Sequence, residues 1–154
     1  MQVEIHSFDS IEKLARQPFA PGTSLISIGD TDAAPPVLTH RPAHILRLQF
    51  DDVTLEDFDY ETGGAYAFRL FSEEQARQIA EFVYRHLEDT TVFLCQCHFG
   101  QSRSAAVAAA IKEHFEHSGI EMFADELGRY CPNVLVFRKT LKALNEKGKS
   151  RSEP

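Results

Sequence analysis

Cysteine is scarce and odd in number in this chain of 154 residues, which carries only Cys95, Cys97 and Cys131. Three thiols fit neither a disulfide framework nor a structural zinc site, so buried or reactive thiols are the remaining readings. Basic runs are also missing until the short tail Lys147 to Arg151, and the formal net charge is -7. General electrostatic attachment to nucleic acid is therefore excluded, and an anionic substrate needs a local positive site. No apolar run approaches the roughly 18 residues of a membrane span, and MQVEIHSF lacks a basic region leading into an apolar stretch. No membrane association and a cytoplasmic location are the resulting expectations. Seven histidines are scattered without ligand spacing, so neither a metal nor another cofactor is expected.

What is present is enough apolar material, 43% of residues, for one compact core. The expectation is a single domain over residues 1–146 followed by a flexible tail at 147–154. Gln2 to Ile5 alternates as a short strand, and Ser10 to Arg16 sets Ile11, Leu14 and Ala15 at helical spacing. Ser24 to Ile28 and His44 to Phe50 read as further strands, separated by a loop punctuated by Pro35, Pro36 and Pro42. Asp51 to Gly64 reads as an irregular loop. Ser72 then caps a helix whose Gln75 completes a capping box and whose buried face carries Ala76, Ile79, Phe82, Val83 and Leu87. The continuous apolarity of Thr91 to Cys95 predicts a central strand, an alanine-rich helix follows over Ala105 to Phe115, and Asn133 caps a last helix. Strands alternating with helices predict an α/β protein with a mainly parallel central sheet flanked by helices, in three layers.

The chemistry concentrates in Val92-Phe-Leu-Cys-Gln-Cys97-His-Phe-Gly100-Gln-Ser-Arg103-Ser104, a strand running through a short loop directly into a helix. Ligands of such sheets gather at the carboxyl ends of strands, and a helix N-terminus presents unpaired N–H groups to an anion. A thiol at the position of Cys97 loses its proton more easily in that field and becomes a nucleophile. Gly100 lets the loop bend, Arg103 offers a planar fork matched to two phosphate oxygens, and Ser104 is placed to hydrogen-bond the sulfur. His98, Phe99, Gly100, Gln101, Ser102 and Arg103 form the expected phosphate-binding loop. Cys95 is read as core, with a redox partnership to Cys97 as the alternative.

The pattern Cys-x-x-Gly-x-Ser-Arg-Ser at 97–104 resembles the signature loop of the protein tyrosine and dual-specificity phosphatases. The resemblance extends to Arg129-Tyr-Cys-Pro132-Asn133 followed by Phe137, covers most of Ile45 to Leu144, and in its compactness is similar to bacterial members. It implies a phosphomonoester hydrolase that works through a phosphocysteine, with a loop aspartate as general acid. Asp52 is the first choice for that acid and Asp51 the alternative. Phosphotyrosine in proteins is the implied leading substrate, then phosphoserine and phosphothreonine. Two departures stand out: Gln96 occupies a position that is usually histidine, and Tyr60 to Phe71 reads as an inserted substrate-facing loop. A catalytically weak phospho-binding pseudophosphatase and a rhodanese-like sulfurtransferase are the rival readings.

Overall fold

A computed structural model describes residues 1–53 and 69–152 of the chain. Of the expected inserted loop, residues 60–68 lie outside the described residues, as does the expected Gly63-Gly64 break. Four strands, β1 (Gln2–His6), β2 (Thr23–Gly29), β3 (His44–Gln49) and β4 (Val92–Gln96), form one sheet in the order β1-β4-β2-β3. Every pairing is parallel. The α/β class with a parallel sheet flanked by helices is therefore as the sequence predicts, and β4 lies inside the sheet as its continuous apolarity requires.

Alternation along the strands sends residues to two apolar layers. Ile26, Ile28, Leu48, Phe93 and Cys95 pack on one face beneath the helices α2 (Glu73–Arg85), α3 (Arg103–Glu116) and α4 (Val134–Ser152). Leu25 and Leu94 point the other way, onto Ile11 of α1 (Phe8–Leu14) and the flanking Phe19 and Leu38. Each fully buried Leu, Ile or Phe in these layers contributes about 1.5–3 kcal/mol. The first helix starts two residues earlier than its apolar spacing suggests, because Ser7 caps it by accepting from the Ser10 N–H. The capping box at Ser72 and Gln75 is present in both directions.

The run Ala105–Ala110 is buried throughout. Its small side chains let α3 lie close against the sheet and α4, which carries the helix N-terminus to the end of β4. The chain then turns through a 3-10 helix, Gly119–Ala124, that the sequence pattern does not announce. Only glycine fits at its start, since a Cβ at Gly119 would lie 1.8 Å from the Ala109 carbonyl oxygen. Asn133 caps α4 by accepting from the Val136 N–H at 3.2 Å. That last helix continues through Ser152, into the segment read from its polarity as a tail. Packing explains the extension: the Arg151 guanidinium lies 5.2 Å from the Tyr84 ring centroid, and Tyr84 in turn hydrogen-bonds His114. Among the described residues no helix is long and apolar enough to cross a membrane.

Candidate active site

The carboxyl ends of β2, β3 and β4 deliver three short segments to one place, residues 29–32, 50–53 and 97–103. Residues 131–133, before α4, close on them from the side. The Cys97 N–H bonds the His6 carbonyl at 3.3 Å, so the pairing of β4 with β1 carries one residue past the strand and fixes the start of the loop. Gly100 then turns it with φ 69°, and a Cβ there would meet the Ser7 nitrogen at 2.8 Å. Both the left-handed conformation and the close approach to the end of β1 require glycine.

Cys97 is buried, and its Sγ lies 3.1 Å from the Ser104 Oγ in the first turn of α3. The Ser104 hydroxyl can thus donate to the sulfur, beside the N-terminus of α3 whose dipole favours an anion. His98 and Phe99 face outward at the rim, where Phe99 is 72% exposed. Gln101 and Ser102 are held from behind: the Gln101 carbonyl accepts from the Cys131 N–H at 2.9 Å and the Ser102 carbonyl from the Asn133 N–H at 3.2 Å.

Arg103 opens α3 yet is 4% exposed. Its Nη1 donates to the Phe50 carbonyl at 2.8 Å and pairs with Asp30 Oδ1 at 2.8 Å. Among the described residues its Nε–H has no acceptor. A buried guanidinium with one arm anchored and another N–H unsatisfied lacks an oxygen acceptor at this point, which an oxyanion above the loop could supply. Asp30 was not singled out by sequence; only its position just after β2, opposite the end of β4, brings it to Arg103.

The two loop aspartates have different surroundings. Asp51 accepts from the Thr31 N–H through Oδ1 at 3.0 Å and from the Arg69 N–H through Oδ2 at 2.9 Å, while its own N–H bonds the Arg69 carbonyl. Burial favours its neutral form, but those two N–H groups and the charge of Arg103 outweigh burial and hold the carboxyl below its ordinary value. Asp51 thus latches the two ends of the 51–69 segment together. Asp52 is exposed, with Oδ1 accepting from the Ser102 hydroxyl at 2.8 Å and the Asn133 side-chain amide at 2.9 Å. The same amide donates to the Val53 carbonyl at 3.1 Å. Asn133, expected as a helix cap, is also the tie between the aspartate loop and the cysteine loop.

Cys95 lies wholly in the core, where burial first and the neighbouring Cys97 second push its thiol far above the ordinary value. A protonated thiol is a poor attacking group, which favours the packing role over the redox one. Gln96 is buried as well, and its Oε1 accepts from the Ser27 hydroxyl on the adjacent strand, so its polar end is satisfied. Cys131 is exposed.

The sequence matches no protein-family model and no curated protein. Among solved structures, Tk-PTP in the active form matches with a TM-score of 0.51 at 16% identity, over 95% of this chain and 92% of that one. PTPMT1 in complex with PI(5)P matches with a TM-score of 0.48 at 13% identity, over 84% of this chain and 81% of that one. The likeness to Tk-PTP spans nearly the whole chain and shows that the two share a fold.

Proposed function

We propose that this protein is a cysteine-dependent phosphomonoester hydrolase of the tyrosine or dual-specificity type. The observation that carries the reading is the pairing, in one loop at the N-terminus of α3, of the Cys97 sulfur 3.1 Å from the Ser104 hydroxyl with a buried Arg103 whose Nε–H lacks an acceptor. A phosphoryl group completes that arrangement. Its non-bridging oxygens take the loop N–H groups and the free edge of the guanidinium, and its phosphorus comes to rest over the sulfur.

In the first step the Cys97 thiolate attacks phosphorus, the bond to the leaving oxygen breaks, and Asp52 gives that oxygen its proton. Ser104 donates to the sulfur and so stabilises the thiolate both before attack and when it leaves. In the second step Asp52, now ionised, takes a proton from water as the water oxygen attacks phosphorus; the phosphorus–sulfur bond breaks and inorganic phosphate leaves. Arg103 and the loop N–H groups stabilise the charge on the equatorial oxygens in both transition states. Asp51 is less suited to the acid role, because its two oxygens already serve as backbone acceptors and its carboxyl is held ionised.

Phosphotyrosine in proteins is the favoured substrate, since His98, Phe99, Gln101 and Ser102 present an aromatic and polar rim and no Lys to meet additional phosphates. The test is hydrolysis of a panel of phosphotyrosine, phosphothreonine and inositol phosphate substrates by the wild type and Cys97→Ser. Phosphotyrosine should be turned over fastest and the variant should be inactive toward all of them while still binding phosphate. Activity above a few per cent in the variant rules Cys97 out as nucleophile. Phosphate binding without turnover in the wild type leaves the chain a phospho-binding module.

A further inference from the structure

At the opposite end of the sheet from Cys97, the first residue of β3 meets the end of α2. His44 and the helix-capping residue His86 stack face to face, with ring centroids 3.6 Å apart and planes 15° from parallel. The Asp89 carboxylate joins them, its Oδ2 lying 3.0 Å from His44 Nε2. One donor atom from each of the three residues falls within 4.8 Å of the others. His44 stands far in sequence from His86 and Asp89, and the three are assembled only because β3 begins where α2 ends.

We propose that His44, His86 and Asp89 form a binding site for a late first-row divalent cation, Zn²⁺ in the first instance. Two imidazole nitrogens and one carboxylate oxygen are the borderline donors such ions select, and three protein ligands leave a fourth position for water. The last turn of α2 directs its unpaired carbonyls and the negative end of its dipole toward this corner, which favours a cation. Space is available: a cavity of about 440 Å³ is lined by both histidines, with Glu81 and Arg85 on its helical wall. Those two charges oppose each other, so the donors rather than the surrounding field select the ion. Both rings are half-buried and Asp89 is exposed, so the edges can turn toward a common point at the roughly 2.0–2.1 Å that Zn²⁺ requires. Binding replaces the hydrogen bond between His44 Nε2 and the Asp89 carboxylate with a bond from each to the metal. The site is independent of the phosphate loop, and its effect is to join β3 to α2.

The test is titration of Zn²⁺ into full-length Cys97→Ser/Cys131→Ser protein, which removes competing thiols, with a chromophoric chelator reporting free metal and thermal unfolding read alongside. One equivalent should bind and raise the melting temperature. Asp89→Asn, an exposed change that leaves packing alone, and His86→Ala should each weaken binding by at least the roughly 10–100-fold seen when even a supporting partner of a metal site is lost. Ring nitrogen signals of His44 and His86 should move in NMR spectra as the first equivalent is added, while that of His98 stays. Absence of binding, or binding that survives both substitutions, or shifts confined to other histidines, overturns the proposal.

Discussion

Replacing Asp52 by asparagine separates the general acid from the scaffold, because the two residues have the same shape. An asparagine Oδ1 can still accept from the Ser102 hydroxyl and the Asn133 amide, so the loop keeps its anchors. What is lost is the transferable proton. General acid catalysis contributes roughly 10²–10⁴ in rate, which corresponds to about 3–5 kcal/mol of barrier. The full loss should appear with a phosphotyrosine peptide, whose leaving oxygen is poor, and much less of it with a nitrophenyl phosphate, whose leaving group needs little protonation. The basic limb of the pH–rate profile should flatten while the acidic limb, which includes thiolate formation, remains.

Asp51→Asn should behave differently. Its new NH₂ group must face either the Thr31 or the Arg69 N–H, leaving a donor against a donor, and the expected cost is about 1 kcal/mol of stability or roughly 2–4 °C in melting temperature. Because the folded-state carboxyl is held below its ordinary value, this stabilisation is complete above the unfolded value and is lost as pH falls through the folded one. The difference between wild type and variant should therefore narrow below about pH 4. Steady-state kinetics with both substrates and thermal melts across pH decide the matter. If Asp51→Asn shows the leaving-group dependence and Asp52→Asn does not, the assignment is wrong by one residue.

Arg103→Lys should lower kcat/KM by about 10²–10³, since an ammonium cannot hold the Phe50 carbonyl, Asp30 and two phosphate oxygens in one plane; near-normal rates would contradict the clamp role. Asn133→Ser keeps a capping oxygen for α4 but loses the amide that holds Asp52 and Val53, so kcat should fall with the melting temperature nearly unchanged. An unchanged kcat in Asn133→Ser, with stability lost only in Asn133→Ala, would reduce that residue to a cap. Activity should persist in excess chelator, because each catalytic role falls to a side chain or backbone group; loss restored by a divalent cation would refute that division of roles.

Contiguous features were legible in the sequence. The strand, loop and helix carrying Cys97, Gly100, Arg103 and Ser104 are consecutive, and local rules for turns and helix termini suffice to read them. The same holds for the capping box at Ser72 and Gln75 and for the apolar face of α2. Contacts made by strand order were not legible. Asp30 reaches Arg103 only because β2 pairs with β4 in a sheet whose order is not that of the chain, and His44 reaches His86 only because β3 begins where α2 ends. Asn133 was legible as a cap from its place before α4, but its amide serves a loop far upstream, which no local pattern encodes. The end of α4 was misjudged from polarity alone: a helix whose last turn is held by Arg151 on Tyr84 does not need an apolar stripe there.

Direct capture of the covalent intermediate tests the proposed chemistry most closely. Wild-type protein mixed with an aryl phosphate and quenched in acid within the first turnovers should carry one phosphoryl group on the peptide containing Cys97, with a phosphorus resonance typical of a phosphorus–sulfur bond. Slowing the second step with Asp52→Asn should increase its yield. Phosphate on any other residue, or turnover with no phosphorylated protein in either form, would contradict Cys97 as the nucleophile.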